Sequence, residues 1–288
     1  MNESLIRDVS DTAFWIARHR AIENRRRDAL FHDPLADHLA GDRGKKLADS
    51  MPMSRMVGWT VAMRTCIIDD YIKTAIDAGV DTVINLGAGL DTRPYRMNLP
   101  ASLCWIEADY PRLIEYKEVR LRDQTPRFHT ERIKIDLADV AQRQKLLAET
   151  NARSSKLLVL TEGVVPYLSV DEVASLANDL RALDRAAYWI IDYLSADVMK
   201  YHDRRGVTRA MQNAPFKFAP DNWFEFFEQH GWKVATMRYF ADEGERLKRP
   251  PPMSPLLKIA LKLIAPLAPK KRRDAWRRFA GYALLEPD

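Results

Sequence analysis

Residues 11–78 alternate apolar and polar positions with the helical period and contain no run that reads as a strand. Within them, Arg64 to Ala78 predicts a helix, with Gly79 placed as its C-terminal stop. From Thr82 the rhythm changes. Short β-rich runs at 82–86, 103–106, 132–135, 157–160, 188–191, 232–239 and 281–285 are separated by amphipathic stretches. The first five runs are nearly continuous in apolar residues, as in strands buried on both faces. Seven strands alternating with helices predict an α/β fold: a doubly wound, mostly parallel, Rossmann-like sheet.

Ser169-Val170-Asp171-Glu172 reads as a capping box that opens an apolar stripe of Val173, Leu176, Ala177, Leu180 and Leu183. Trp223, Phe226 and Phe227 mark a second helix that ends before Gly231. Between Phe240 and Gly281 the chain carries Pro250-Pro251-Pro252 and an apolar helix face from Leu256 to Ile264, opposite Lys258 and Lys262. The expected organisation is one domain: a helical cap over 1–78, the core sheet over 79–240, a lid insert over 241–280 and the last strand over 281–288.

Composition adds limits. With 47% hydrophobic and 30% charged residues, the 288-residue chain suits a water-exposed globule rather than a disordered or fibrous one. No apolar run of membrane-spanning length and no basic-then-apolar leader appear, and the only cysteines, Cys66 and Cys104, read as buried thiols. A cytoplasmic setting is expected. The net charge is +5, and its basic clusters lie at Arg25–Arg27, Arg204-Arg205 and Lys270 to Arg278. They read as solvated helix faces, with peripheral docking of the 256–278 segment on an anionic membrane or nucleic acid as the competing, non-enzymatic scaffold reading.

The chemistry concentrates after the first strand, in Leu86-Gly87-Ala88-Gly89-Leu90-Asp91-Thr92-Arg93. Two glycines spaced by one residue allow a tight turn and close approach of a ligand to the backbone. Such a turn at the carboxyl end of a strand is where open α/β sheets bind ligands. Glu107 and Asp109 end the second strand, and Asp109 lies twenty-two positions beyond Gly87, the spacing of a carboxylate that holds ribose hydroxyls. A dinucleotide enzyme places a third glycine where this chain has Thr92, so a cofactor without a pyrophosphate fits better than a nicotinamide dinucleotide. A nicotinamide-dependent oxidoreductase remains the alternative enzyme.

These motifs, followed by Asp136-Leu137 and Glu162-Gly163-Val164-Val165-Pro166-Tyr167-Leu168, resemble in order those of the leucine carboxyl methyltransferase family, which includes bacterial O-methyltransferases of polyketide type. The N-terminal Arg20-Ala21-Ile22-Glu23 and Ala29 to Ala36 are similar to its bacterial branch. The resemblance implies S-adenosyl-L-methionine as cofactor. It implies that Arg64 holds the methionine carboxylate beside Gly87 and Gly89, Asp109 the ribose, Asp136 and Leu137 the adenine, and that Glu162 stands near the methionine moiety. No metal is expected. None of the six histidines falls in a motif that would make it a general base, which leans towards an acceptor already ionised at neutral pH, the carboxylate of a small molecule. Tyr167 is expected near the site without a catalytic role. The acceptor is expected to meet the N-terminal helices and the 241–280 insert, with Met51 to Met56 as candidate pocket lining.

Overall fold

The computed structural model describes residues 5–198, 206–254 and 269–288. Seven strands form one sheet: β1 (Thr82–Leu86), β2 (Cys104–Asp109), β3 (His129–Lys134), β4 (Leu157–Thr161), β5 (Ala186–Leu194), β6 (Trp232–Tyr239) and β7 (Ala280–Pro287). Their order across the sheet is β3-β2-β1-β4-β5-β7-β6. The first five pair in parallel, and β7 inserts antiparallel to both β5 and β6. The chain leaves β1 towards β2 on one side and returns to β4 on the other. That reversal opens a crevice at the carboxyl ends of β1 and β4, the switch point of a doubly wound sheet.

Alternation along the strands divides the core into two layers. Ile84, Leu86, Val159 and Ile191 face α7 (Val170–Arg181) and α9 (Trp223–Gln229), meeting Val173, Leu176, Leu180 and Phe227. Val83, Leu158, Leu160 and Ile190 face the opposite way, against Ile67, Ile68, Tyr71 and Ile72 of α3 (Ser54–Asp77). Each such buried side chain contributes about 1.5–3 kcal/mol. Two of the buried indoles anchor their N–H groups: Trp189 donates to Thr161 Oγ1 at 2.9 Å and Trp232 to the Ala177 carbonyl at 3.1 Å. Ser169 and Glu172 form the reciprocal capping box at the start of α7.

Strands β2, β5 and β7 run a few residues beyond the expected runs, and two other elements start early for a physical reason. Helix α3 starts at Ser54, ten residues before Arg64. Its first part contains Val57, Gly58, Thr60 and Val61, poor helix formers on their own. Packing overrides propensity there, with Gly58 seated against the ring of His19 from α1 (Ser10–Asn24). Strand β3 begins at His129 rather than Arg132 because it is the sheet edge, where polar side chains replace an apolar run.

Above the sheet, α1 and α2 (Ala36–Ser50) pack through Ala17, Leu39 and Ala40 onto Leu90 and Leu113. Three short helices, α4 (Arg93–Arg96), α8 (Val207–Ala210) and α10 (Phe240–Arg246), and the longer α11 (Lys270–Arg277) lie around the switch point. The expected apolar face at Leu256–Ile264 and the Arg204-Arg205 pair fall outside the described residues. No described helix is long and apolar enough to cross a membrane.

Candidate active site

At the end of β1 the Gly87 amide donates to the Ala108 carbonyl at 2.8 Å, tying the turn to β2. Gly87 has φ +73°, and a Cβ there would lie 2.3 Å from Val164 Cγ2, so only glycine fits. The next glycine, at φ +50°, aims its amide at the end of β2. There Asp109 Oδ2 accepts from Gly89 N at 2.6 Å and Oδ1 from Tyr110 N at 2.7 Å. Burial pushes the Asp109 carboxyl above its ordinary range, and the two amides pull it back. Glu107 lies two residues earlier in β2. It is fully buried and locked by Lys117 at 2.7 Å and Arg132 at 3.0 Å.

A cavity of about 1620 Å³ opens over this turn. Gly87, Gly89, Asp109, Leu137, Glu162 and Arg64 all line it, so six of the seven cofactor-site expectations meet in one space. Asp136 does not line it. Its side chain is exposed and its Oδ1 accepts from Ala138 N at 2.9 Å, while Leu137 and Ile135 beside it form the wall.

Beneath the cavity lies a chain of charges. Arg93, 2% exposed, reaches Asp69 at 2.8 Å, Asp91 at 2.9 Å and Glu162 at 2.7 Å. Burial opposes ionisation of Asp91 and Glu162, but Arg93 outweighs it and holds both carboxyls below their usual range, with Arg64 assisting at Glu162. Arg64 Nε stands 2.9 Å from Glu162 Oε1, yet its N–H is not aimed there and has no hydrogen-bond acceptor. The Arg64 guanidinium lines the cavity wall beside Glu162, a cation of the kind that pairs with a carboxylate.

One residue at this floor carried no expectation. Asp192, at the end of β5, accepts from Tyr282 Oη of β7 at 2.5 Å and from Gly163 N at 3.0 Å. Burial raises its carboxyl to about 6, against the pull of Tyr282 and Arg64. The signal was available: an acid following the apolar run Tyr188 to Ile191 at the carboxyl end of a strand. The expected strand stopped one residue short of it. Tyr167 also lines the cavity, packed on Phe216 with ring centres 5.2 Å apart, and burial pushes its phenol up to about 12. Among the described residues no histidine lines the cavity.

At the opposite end of the sheet Cys104, His129 and Glu131 bring potential metal-ligating atoms within 4.8 Å of one another. Arg153 holds both Glu131 oxygens, at 3.0 and 2.7 Å, which accounts for that cluster as an ion pair.

The model of the leucine carboxyl methyltransferase family matches residues 13–181. A Mycobacteroides abscessus protein, provisionally described as an S-adenosyl-L-methionine-dependent methyltransferase, is 29% identical over 274 residues, covering 84% of this chain and 89% of that protein. A Mycobacterium marinum protein with the same description is 31% identical over 213 residues, 67% of each chain. Among solved structures, a Thermobifida fusca protein provisionally described as a methyltransferase superposes with a TM-score of 0.59 over 99% of this chain and 97% of its own, at 12% identity. A Streptomyces avermitilis protein of the DUF574 family gives 0.57 over 94% and 97%, at 13% identity. These two likenesses bear on the fold alone.

Proposed function

The chain belongs to the leucine carboxyl methyltransferase family and is an S-adenosyl-L-methionine-dependent methyltransferase, and from that premise we propose that its acceptor is an oxygen, the carboxylate of a small molecule. The observation that carries the reading is one large cavity whose lining joins the acids at the β1 turn, with Arg64 and Glu162, to many apolar side chains.

The residues fit the cofactor. Asp109 offers its remaining lone pairs to a ribose diol. Leu113, Ile135 and Leu137 offer apolar contact to an adenine, and the Arg64 guanidinium offers a cation to the methionine carboxylate. A dinucleotide fits less well. Thr92, in the third-glycine position, is fully buried, and α4 behind it spans only four residues, too short to present a pyrophosphate-binding helix end.

The bound cofactor supplies a methyl group already activated by its sulfonium. What the chain contributes is alignment and exclusion of water. Arg93 fixes Glu162, Glu162 fixes Arg64, and the turn at Gly87 sets the distance to β4. A carboxylate acceptor is ionised at neutral pH and requires no proton transfer. The description of the matched family names a carboxyl acceptor, and the described cavity wall presents neither imidazole nor thiol.

One observation favours a second reading, methylation of a hydroxyl. Asp192 lines the cavity with a carboxyl near 6, a value suited to a general base. Alkali treatment of the labelled product separates the two. A methyl ester releases its label as methanol, as expected here. An alkali-stable ether would establish the hydroxyl reading instead.

A further inference from the structure

The cavity is larger than the cofactor needs. Pockets for ligands of drug size run to about 300–1,000 Å³, and this one is about 1620 Å³. Space for a second ligand therefore remains beyond Arg64, and its walls are built in a particular way. Among the residues of α3 and its N-cap that line it, Met53, Met56, Val57, Thr60 and Arg64 share one face at helical spacing. Eleven residues of helix make that face about 16 Å long, apolar at its far end and ionic where it meets Glu162. On α1, Val9, Ala13 and Ile16 repeat at the same spacing and line the same space. Each of these side chains is only half-buried by the protein. The third wall is Val207 and Met211, buried members of the apolar cluster that joins both helices.

Met53 adds an independent mark. It is one of two non-glycine residues in the left-handed region among the described residues, at φ 58°, and it opens α3 on the cavity. Strain of this kind costs on the order of 1–3 kcal/mol and persists where the surroundings require it. Methionines at 53, 56 and 211 give the wall unbranched side chains that adapt to an irregular apolar guest.

We infer that the acceptor is an amphipathic carboxylate with a long, flexible apolar body, seated along the Met53–Arg64 face of α3 with its carboxylate at the Arg64 end. The inference rests on the carboxyl reading above and adds the rest of the molecule. A wall of about 16 Å spans on the order of ten carbon–carbon bonds. Short polar acids leave it in contact with water and lose that contribution.

The test is a length series of straight-chain acids, hexanoate to hexadecanoate, bound to the protein saturated with S-adenosylhomocysteine and followed by titration calorimetry. Turnover with S-adenosylmethionine to alkali-labile ester is measured in parallel. Each added methylene is expected to tighten binding by about three- to fourfold, from roughly 0.8 kcal/mol per buried methylene, until the wall is covered. Val57→Trp shortens the acid at which the gain stops, while S-adenosylhomocysteine affinity reports that the variant is folded. Affinity independent of length in the native protein overturns the inference, even if short acids are esterified, which leaves the carboxyl reading standing. A rising series without ester formation has the opposite meaning: the apolar seat holds and the carboxyl reading falls.

Discussion

At the cofactor end of the cavity, positions are set by strand termini and charge; at the acceptor end, by apolar helix faces. Asp109 is fixed by two backbone amides, and Arg93 by three carboxylates, so neither can move without exposing a buried charge. Met53, Met56 and Val57 touch neighbours only through dispersion and remain half-buried. A cofactor that never changes favours a preorganised seat with little to reorganise on binding. An apolar acceptor tolerates a wall that adjusts, because burial is non-directional.

The largest effect should come from breaking the charged end. Arg93→Ala leaves Asp69, Asp91 and Glu162 without their shared cation in a dry interior. Breaking a buried pair from one side costs about 3–5 kcal/mol, a fall in melting temperature of roughly 5–8 °C for a chain of this length. Met56→Ala, at the other end, should cost well under half of that. Equal losses in the two variants, measured by thermal unfolding, would remove the contrast between the ends.

Asp109→Ala comes next and acts on binding. It deletes the proposed ribose acceptor and strands the amides of Gly89 and Tyr110. Affinity for S-adenosylhomocysteine should fall by about 1–3 kcal/mol, the scale of a lost hydrogen bond to a charged group. The dependence of acid binding on chain length should stay unchanged, since that is a property of the other end. Titration of both ligands on the same variant checks this, and an unchanged cofactor affinity refutes the ribose role.

The same division explains what could be read from the chain. The glycine turn and Asp109 are legible because backbone geometry forces residue type: no side chain fits at Gly87, and the ribose acid must stand one strand away. Arg93 was visible within the turn motif, but its three partners come from α3, the turn and the end of β4, which only the folded chain assembles. Asp136 shows the converse, a motif position whose acid faces solvent while Leu137 meets the cavity. The acceptor wall obeys no residue-type rule. Met53 and Met56 fall in the stretch expected to line a pocket, but Val9, Ala13 and Val57 look like ordinary core positions, and only their placement over an open space distinguishes them. The start of α3 was missed for the same reason, because tertiary packing rather than propensity makes it helical.

The smallest effect is a pH dependence whose sign differs between the ends. On the helical side, burial, with Arg64 and Arg18 adding to it, lowers the His19 imidazole from 6.5 to about 4, so the fold keeps it neutral. Unfolded chain takes up a proton below pH 6.5 and folded chain does not, so His19 lowers stability as pH falls from 6.5 towards 4. On the strand side, burial raises Asp192 from 3.8 to about 6, so the folded chain takes up the proton first. Asp192 therefore adds stability as pH falls from 6 towards 3.8. Each amounts to about 1–2 kcal/mol at pH 5, taking about 1.4 kcal/mol per unit of differential titration. In the native protein the two offset each other across this window. His19→Gln should flatten the acid-side loss of stability, and Asp192→Asn should steepen it. Melting temperatures from pH 7.5 to 4.5 read both slopes. Parallel profiles for the two variants and the native chain would show that neither group titrates differently on folding. Divergence in the stated directions would show that the helical cap is the acid-sensitive half and the strand-end floor the acid-tolerant one.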